Sequence, residues 1–386
     1  MTAVEATPSL VGTRIVHVVP CLGTGGLELA LARLANALQR RGAVQTVVAL
    51  TGEPEIAARF DAGISIHALR ARPRERGFVK RLRQVLIQAQ PQVVHCRNWS
   101  SWPDTVRARG FLGPRPALVF SFHGTTEPAP MPWKRRLAMR WLARCTTEIF
   151  TVSEAARTRL VDEVGLPRQR VGLIPNGIAF EQSVRAGPRK SGGTFIIGSV
   201  GNLNPIKNQQ LLVRALAQLR AQGVPAEIRI AGEGPQREAL TALARELGVQ
   251  EHFHLIGHVS DVRGFLANLS AFVLCSRLEA HPNALIEAMA AELPCVGTNC
   301  GGIPEVLLHG KAGLITADDD AAALAAALHQ LHNNPAAAAA LAQAGRLHCE
   351  RTYSLDAMVA AYDRLYARLA APPTPAHLRP TPSCCD

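Results

Sequence analysis

The sequence has no run of about 18 uncharged apolar residues, so a helix-spanning membrane protein is not expected. Its first residues, MTAVEATPSLVGTR, lack the basic start and long apolar core of a secretory signal, and strand-like IVHVVP follows directly. The nine cysteines include no C-x-x-C pair and no regular spacing, so nothing marks a zinc site or a disulfide framework. Six of them (Cys21, Cys96, Cys145, Cys275, Cys295, Cys300) sit in or beside apolar segments and read as small core hydrophobes. Cys384 and Cys385 end a Pro-rich tail and read as a free pair in a disordered segment. The default compartment for such a chain is the cytoplasm. An isoelectric point near 9.8 invites a nucleic-acid reading, but no nucleic-acid-binding module is recognisable.

What is present is a globular composition: 386 residues, 47% hydrophobic and 19% charged, a length that suits two domains. The charge is unevenly spread. Residues 1–181 hold 25 Lys and Arg against 13 Asp and Glu, a surplus of 12, whereas 182–386 hold 17 of each. A basic face on one domain suggests an anionic partner for that domain.

Periodicity places strands near 14–19, 45–50, 64–68, 92–96, 117–122, 147–152 and 171–174, with helical patterns between most of them. In the first helix Leu27, Leu31, Leu34 and Leu38 form one stripe and Gly42 is the stop. Alternating strand and helix means an α/β fold with a parallel sheet covered on both faces. The alternation pauses at EQSVRAGPRKSGGT (181–194), which reads as an interdomain linker. It restarts with strands 195–201, 227–232, 253–257, 271–275 and 294–298, and helices 206–222, 235–247, 261–268, 283–291 and 303–309. The Ala-rich segment 321–344 reads as two surface helices interrupted at Asn333-Asn334-Pro335. A last helix near 355–369 precedes a tail, 371–386, with no means of forming a core.

Three turns in the second half share one design, a strand, a short loop, and a proline opening a helix: Gly234-Pro235, His281-Pro282 and Ile303-Pro304. Such turns set helix N-termini along the C-terminal edge of one sheet, where these folds bind ligands. The most informative is AFVLCSRLEAHPNALIEAMAAELPCVGTNCGGIPEV (271–306). With Pro282 as the first helical residue, the free N–H groups of Asn283 and Ala284 point into the space of Glu279, and Glu287 follows inside the helix. A helix N-terminus flanked by acids that grip hydroxyls suits a ligand that is part phosphate, part sugar. The triple Asp318-Asp319-Asp320 looks like a metal-binding D-x-D, but its place before a helix is explained by capping.

Taken together these motifs resemble the retaining, nucleotide-sugar-dependent glycosyltransferases of family 4, with the GT-B fold. The resemblance rests on the E-x7-E block Glu279–Glu287 with EAMAAELPCVGTNCGGIPEV. It rests also on SVGNLNPIKNQQLL, IAGEGPQREAL and GHVSDVRGFLANLSAFVLCSRLE before it, and on PNGI (175–178), SFHG (121–124) and GGLE (25–28). It spans about residues 14–370, and VVHCRNWSSW is most similar to transferases of bacterial exopolysaccharide systems of the PEP-CTERM type. It implies two Rossmann-like domains facing across a cleft: an acceptor domain (1–181), a linker (182–194), a donor domain (195–351), and a helix (352–370) that crosses back to the first domain.

Carried over residue by residue, the resemblance gives Glu287 the donor ribose and Glu279 the hydroxyls of the transferred sugar. The backbone from Pro282 through Asn283 and Ala284 to Leu285 meets sugar and phosphate oxygens, and Gly257 to Val259 read the nucleobase. Lys207, at an expected helix start, is the cation for the diphosphate leaving group. His123 faces the reacting sugar, and Gly25 and Gly26 let substrate approach the first helix closely. The leaving phosphate itself helps to deprotonate the acceptor, so no protein base is nominated. The implied co-substrate is a UDP- or GDP-sugar, without metal or other cofactor, and the acceptor is a glycan or a lipid-diphosphate-linked sugar. Three departures stand out: Asn202 where many relatives carry a phosphate-binding Arg, Ala280-His281 where Gly-Phe is usual, and Ala179 after PNGI where Asp is usual. His281 or Arg277 is the candidate to compensate for the missing cation.

Two stretches concentrate the basic charge. RARPRERGFVKRLR (70–83) has seven basic residues in fourteen, and in MPWKRRLAMRWLARC (131–145) Trp133, Leu137 and Trp141 share a helical row beside Arg136, Arg140 and Arg144. Such a helix suits contact with an anionic membrane surface, so a peripheral place on the inner face of the plasma membrane is expected. The competing arrangement is a solvated basic face with buried tryptophans. The main rival function is a transferase-like subunit that binds nucleotide or glycan without turnover. A nucleotide-sugar epimerase or phosphorylase shares the two-domain architecture but fits the E-x7-E block less well.

Overall fold

The computed structural model describes residues 10–371 apart from 73, 74, 76, 125–129, 181–184 and 186–192. Most of the expected linker and the tail beyond Ala371 therefore lie outside the described residues, as do Cys384 and Cys385. Contacts divide the chain into two units. One holds the described residues up to His123, Pro130–Gly177 and those from Leu355 onward, and Ile178–Ser354 belong to the other.

In the first unit, strands β1 (Arg14–Val19), β2 (Val44–Ala49), β3 (Ser65–Ala68), β4 (Val93–Arg97), β5 (Ala117–Phe122), β6 (Glu148–Thr151) and β7 (Val171–Leu173) form one parallel sheet. Its order is β3-β2-β1-β4-β5-β6-β7. Near-continuous apolar runs such as Ile15–Val19 and Leu118–Phe122 form its central strands, because helices cover both faces. Helices α1 (Gly26–Arg40), α2 (Phe78–Ala89), α3 (Trp102–Arg109), α4 (Trp133–Arg144) and α5 (Glu154–Arg159) make the crossovers. Helix α1 buries Leu31, Leu34 and Leu38 and stops at Gly42, whose φ of +89° costs glycine little.

The second unit repeats the plan. Strands β8 (Phe195–Val200), β9 (Ala226–Ala231), β10 (Phe253–Gly257), β11 (Ala271–Leu274), β12 (Cys295–Thr298) and β13 (Leu314–Thr316) are parallel in the order β10-β9-β8-β11-β12-β13. Both sheets reverse direction of growth beside their first strand, between β1 and β4 and between β8 and β11, the Rossmann arrangement. Helices α6 (Gln210–Ala221), α7 (Arg237–Glu246), α8 (Val262–Ala267), α9 (Asn283–Ala290), α10 (Ile303–Val306), α11 (Ala321–Asn333) and α12 (Pro335–Thr352) complete the unit.

Several expectations are corrected. Strand β13 was not anticipated, since three residues carry no usable period. The Ala-rich helices contribute more to the core than expected: Leu324, Leu328 and Leu331 of α11 join Leu212, Leu216, Ile197 and Ile228 in one core, and α12 runs on to Thr352. Methyl groups of alanine on the outer face hide that apolar stripe from a periodicity count. Helix α6 begins at Gln210 rather than 206, because Asn208 adopts φ +53° and the Asn204 side chain accepts from the Lys207 N–H instead.

The last helix, α13 (Leu355–Ala370), packs in the first unit: Met358, Val359, Tyr362, Leu365 and Tyr366 share a core with Leu34, Leu38, Ile15 and Val93. Arg41–Asp363 (2.7 Å) and Arg368–Glu148 (2.8 Å) pair it to the same unit. Beneath it lie two fully buried histidines, His17 and His95. Burial first, and then the Arg97 charge, lower the His17 pKa to about 3 and hold His95 well below the ordinary histidine range. An unfolded chain takes up these protons near pH 6.5 while the folded one refuses them, so stability falls as pH drops below 6.5. His17 alone should remove about 2 kcal/mol by about pH 5, with His95 adding in the same direction. Denaturant melts at about pH 7.5 and about pH 5 check this, and equal midpoints would mean that both rings are solvated.

Candidate active site

The site of the second unit is built from the ends of β8, β9, β10 and β11. Three glycines bring the strand ends together by backbone alone. The Gly232 N–H donates to the Gly257 carbonyl (2.8 Å), and a Cβ on Gly232 would stand 2.0 Å from the Gly201 carbonyl oxygen. Asn202 follows Gly201 with an exposed side chain, and its carbonyl accepts from Gln209 Nε2 (3.0 Å). Val259 lies half-buried two residues past the end of β10.

Beyond β11 the chain enters a loop pinned at each step. The Thr298 hydroxyl donates to the Ser276 carbonyl (2.7 Å), the Arg277 N–H donates to the Ile206 carbonyl (2.7 Å), and the Gly302 N–H donates to the Glu279 carbonyl (2.8 Å). The Cys275 thiol lies 3.3 Å from the carbonyls of both Lys207 and Asn208. These bonds fasten the turn that carries Lys207 to the loop that carries Glu279, and the ammonium meets the carboxylate at 2.5 Å. The Ser276 hydroxyl donates to the same Glu279 oxygen (3.3 Å). Lys207 and Glu279 are 25% and 14% exposed, so each keeps one open side with hydrogen-bonding capacity left: two more N–H bonds and the second carboxylate oxygen.

Pro282 is the residue before α9, not its first, and the Asn283 N–H donates to the His281 carbonyl (3.0 Å). The expectation that this N–H is free is therefore corrected, because the non-helical φ/ψ of Pro282 closes a tight turn over it. Ala284 and Leu285 hold the next two positions, Leu285 with a buried side chain. Glu287 is half-buried one turn along, on the face away from buried Ile286 and Met289. The expected placing of Lys207 at a helix start is likewise replaced by a turn three residues before α6.

Of the two candidates for replacing the missing arginine, Arg277 is exposed but paired, and His281 is buried. Arg277 makes a forked contact with Asp319, 2.8–3.1 Å, and His281 is 8% exposed, edge-on to Tyr353 at 5.4 Å. In the acidic triple, Asp319 serves Arg277 and Asn208 while Asp320 caps α11 through the Ala323 N–H (2.8 Å). Among the described residues no group of three or more His, Cys, Asp or Glu could hold a metal ion.

His123, Gly25 and Gly26 belong to the first unit. Gly25 caps α1, and a Cβ there would stand 2.5 Å from Glu28 Oε2, so the space beside this glycine is occupied by an acid. Burial holds the Glu28 carboxyl above its usual range, with its own backbone N–H opposing the shift. His123, at the end of β5, takes its backbone position from Asn98 Oδ1 (2.9 Å) and its ring position from Ser121 Oγ (2.9 Å from Nε2). Sequence reasoning passed over Gly301 and Gly302 in TNCGGIPEV and His95 and Arg97 in VVHCRN. The paired glycines were the legible signal for the first, and a cation ending an apolar strand for the second.

Two family models divide the chain between them: Glycosyltransferase Family 4 over residues 24–182 and Glycosyl transferases group 1 over residues 181–348. The chain belongs to the family 4 glycosyltransferases of the GT-B fold and is a glycosyltransferase enzyme. It is 28% identical to glycogen synthase of Mycobacterium tuberculosis over 72% of this chain and 69% of that protein. It is 25% identical to the putative glycosyltransferase EpsD of Bacillus subtilis, over 71% and 76%. HepE of Anabaena, solved with UDP, has the same fold at a TM-score of 0.80 and 17% identity, over 92% of this chain and all of that one.

Gly301 has φ +52°, and a Cβ on it would lie 1.9 Å from the Glu279 carbonyl oxygen. Gly301→Ala should therefore cost about 1–3 kcal/mol in a denaturant melt and lower transfer by roughly tenfold or more as Glu279 shifts. Wild-type kinetics in this variant would show that the loop does not position Glu279.

Proposed function

We propose that the protein is a retaining transferase that moves a sugar from a nucleoside-diphosphate sugar to a glycan or lipid-diphosphate-linked acceptor, in the assembly of a bacterial cell-surface polysaccharide. The observation that carries this is the fixed Lys207–Glu279 pair one loop ahead of α9 and Glu287. On this reading Lys207 stabilises charge on the departing diphosphate, and Glu279 accepts from sugar hydroxyls. The N–H groups of Ala284 and Leu285 meet phosphate or sugar oxygens, and Glu287 accepts from the ribose. Gly257 and Val259 lie where a nucleobase is read by backbone. His123 contacts the reacting sugar, the leaving phosphate deprotonates the acceptor, and no metal takes part. Two relatives lend support: the putative glycosyltransferase EpsD, and HepE, which was solved with UDP.

A thermal-shift screen across nucleoside diphosphates and their sugars tests the donor reading. A true donor at about 100 times its Kd should stabilise by about 2.7 kcal/mol, and Glu287→Ala should abolish both that shift and transfer. No shift with any nucleotide would overturn the assignment. The rival, a binding subunit without turnover, draws on exposed Asn202 and on Arg277 being held by Asp319. Donor hydrolysis or transfer that disappears in Glu287→Ala excludes it.

The first unit is read as the acceptor side, docking on an anionic membrane at the inner face of the plasma membrane. Trp133, Leu137 and Trp141 on α4 are 67%, 59% and 48% exposed, so the arrangement with buried tryptophans does not hold. No helix among the described residues is long and apolar enough to cross a membrane. The second basic stretch, 70–83, lies partly outside the described residues, and within it Arg70 and Arg81 pair with Glu53 and Glu75. Vesicle co-sedimentation should favour anionic over neutral phospholipid, and Trp133→Ser with Trp141→Ser should lower binding at least severalfold. Equal binding to both lipids would remove the membrane from the account.

A further inference from the structure

The loop after β13 sends one carboxylate past the ends of β12 and β11 to the turn that carries Lys207. Asp319 Oδ1 accepts from Asn208 Nδ2 (2.8 Å) and from Arg277 Nη2 (2.8 Å), and both of its oxygens lie 3.1 Å from Arg277 Nε. The Arg277 contact, supported by Asn208 and opposed by some desolvation, holds the Asp319 carboxyl below its usual range. Three donors thus converge on a side chain that is 54% exposed. Exposed ion pairs add little to stability, so the fold alone gives small reason for this convergence.

What the two partners share is Lys207. Asn208 follows it in the chain, is 3% exposed, adopts φ +53°, and accepts at its carbonyl from the Cys275 thiol (3.3 Å). Asparagine takes the left-handed conformation more readily than most residues but still at a cost, which a bond to its side chain offsets. Arg277 acts on the residue before Lys207, since its backbone N–H donates to the Ile206 carbonyl (2.7 Å). It also stands two residues ahead of Glu279, whose carboxylate receives the Lys207 ammonium. Asp319 therefore grips the neighbours of Lys207 on both sides. Its own φ of +59° turns the loop for that reach, while Asp320 beside it caps α11.

We propose that Asp319 is a positioning residue that brackets Lys207 and so aims its ammonium at the diphosphate of the nucleotide sugar. The inference rests on the reading of Lys207 as the cation for that diphosphate and adds what keeps it in place. A lysine on an unfixed turn spreads its ammonium over many positions and loses binding free energy when a ligand orders it. With Asn202 where a second cation is usual, the site depends the more on how well one lysine is aimed. On this account Arg277 is not a further cation for the phosphates. Its guanidinium is occupied by Asp319, and it serves the site through its backbone N–H.

The test is a double-mutant cycle read by calorimetric titration of the full-length protein with UDP and with GDP, the tighter of the two being followed through the variants. Asp319→Gly removes all three contacts, and at φ +59° glycine leaves the loop free to keep its path. The Kd should rise roughly tenfold in Lys207→Met and about fivefold in Asp319→Gly, with no further rise when the two are combined. The denaturant midpoint of Asp319→Gly should stay close to that of the wild type. Asp319→Asn still accepts from Asn208 and should recover part of the affinity. Losses that multiply in the double variant, or an unchanged Kd in Asp319→Gly, would overturn the inference and leave the donor reading standing. So would a tighter Kd, since Arg277 released from Asp319 would then be reaching the phosphates. A loss that comes with a large fall in the midpoint would mark a merely structural role and overturn it as well. Wild-type affinity in Lys207→Met, or binding of neither nucleotide by the wild type, would instead refute the reading of Lys207 and the inference with it.

Discussion

The hydrogen bond from the Gly302 N–H to the Glu279 carbonyl governs the second unit's site, because it ties the loop after β12 to the loop after β11 backbone to backbone. It requires the backbone at Gly301 to pass against Glu279 at a distance that excludes any Cβ. With Glu279 anchored there, Lys207 is fixed from the other side by the Cys275 thiol and the Arg277 N–H, and the ion pair follows. A flexible lysine in a turn would lose much of its value to side-chain entropy, whereas one that reaches a fixed carboxylate is ordered in advance. The two acids, the lysine and the start of α9 are thus placed by backbone geometry of neighbouring strand ends.

The first unit solves a related problem by different means. Its polar residues are not at the rim but in the core: His17 with Gln45 (2.8 Å), then His95, Ser121 and Arg97, under two tyrosines of α13. Buried polar networks of this type fix a single arrangement at the cost of stability.

Both parallel sheets, nearly all their strands and the last helix were legible because their apolar runs and helical stripes have unambiguous periods. Glu279, Lys207 and Glu287 were legible as a pattern of motifs. Their partners were not. That Lys207 would pair with Glu279 depends on how tightly the β8 and β11 loops are drawn together, which no local period encodes. Strand β13 and the interior role of α11 were missed for a simpler reason: one is three residues long and the other is written largely in alanine. The free N–H expected at Asn283 failed because Pro282 turns the chain one residue earlier than a first helical proline would.

Helix α13 closes over β4 only after the chain has traversed the whole second unit. During synthesis the sheet of the first unit is complete by Leu173, yet the tyrosine that caps His95 is still nearly two hundred residues from being made. Until Tyr366 leaves the ribosome, Arg97 and His95 lack the cover that α13 gives them. The first half of the protein is therefore the last to be finished, and it waits, charged and incomplete, for a segment that the second half must deliver.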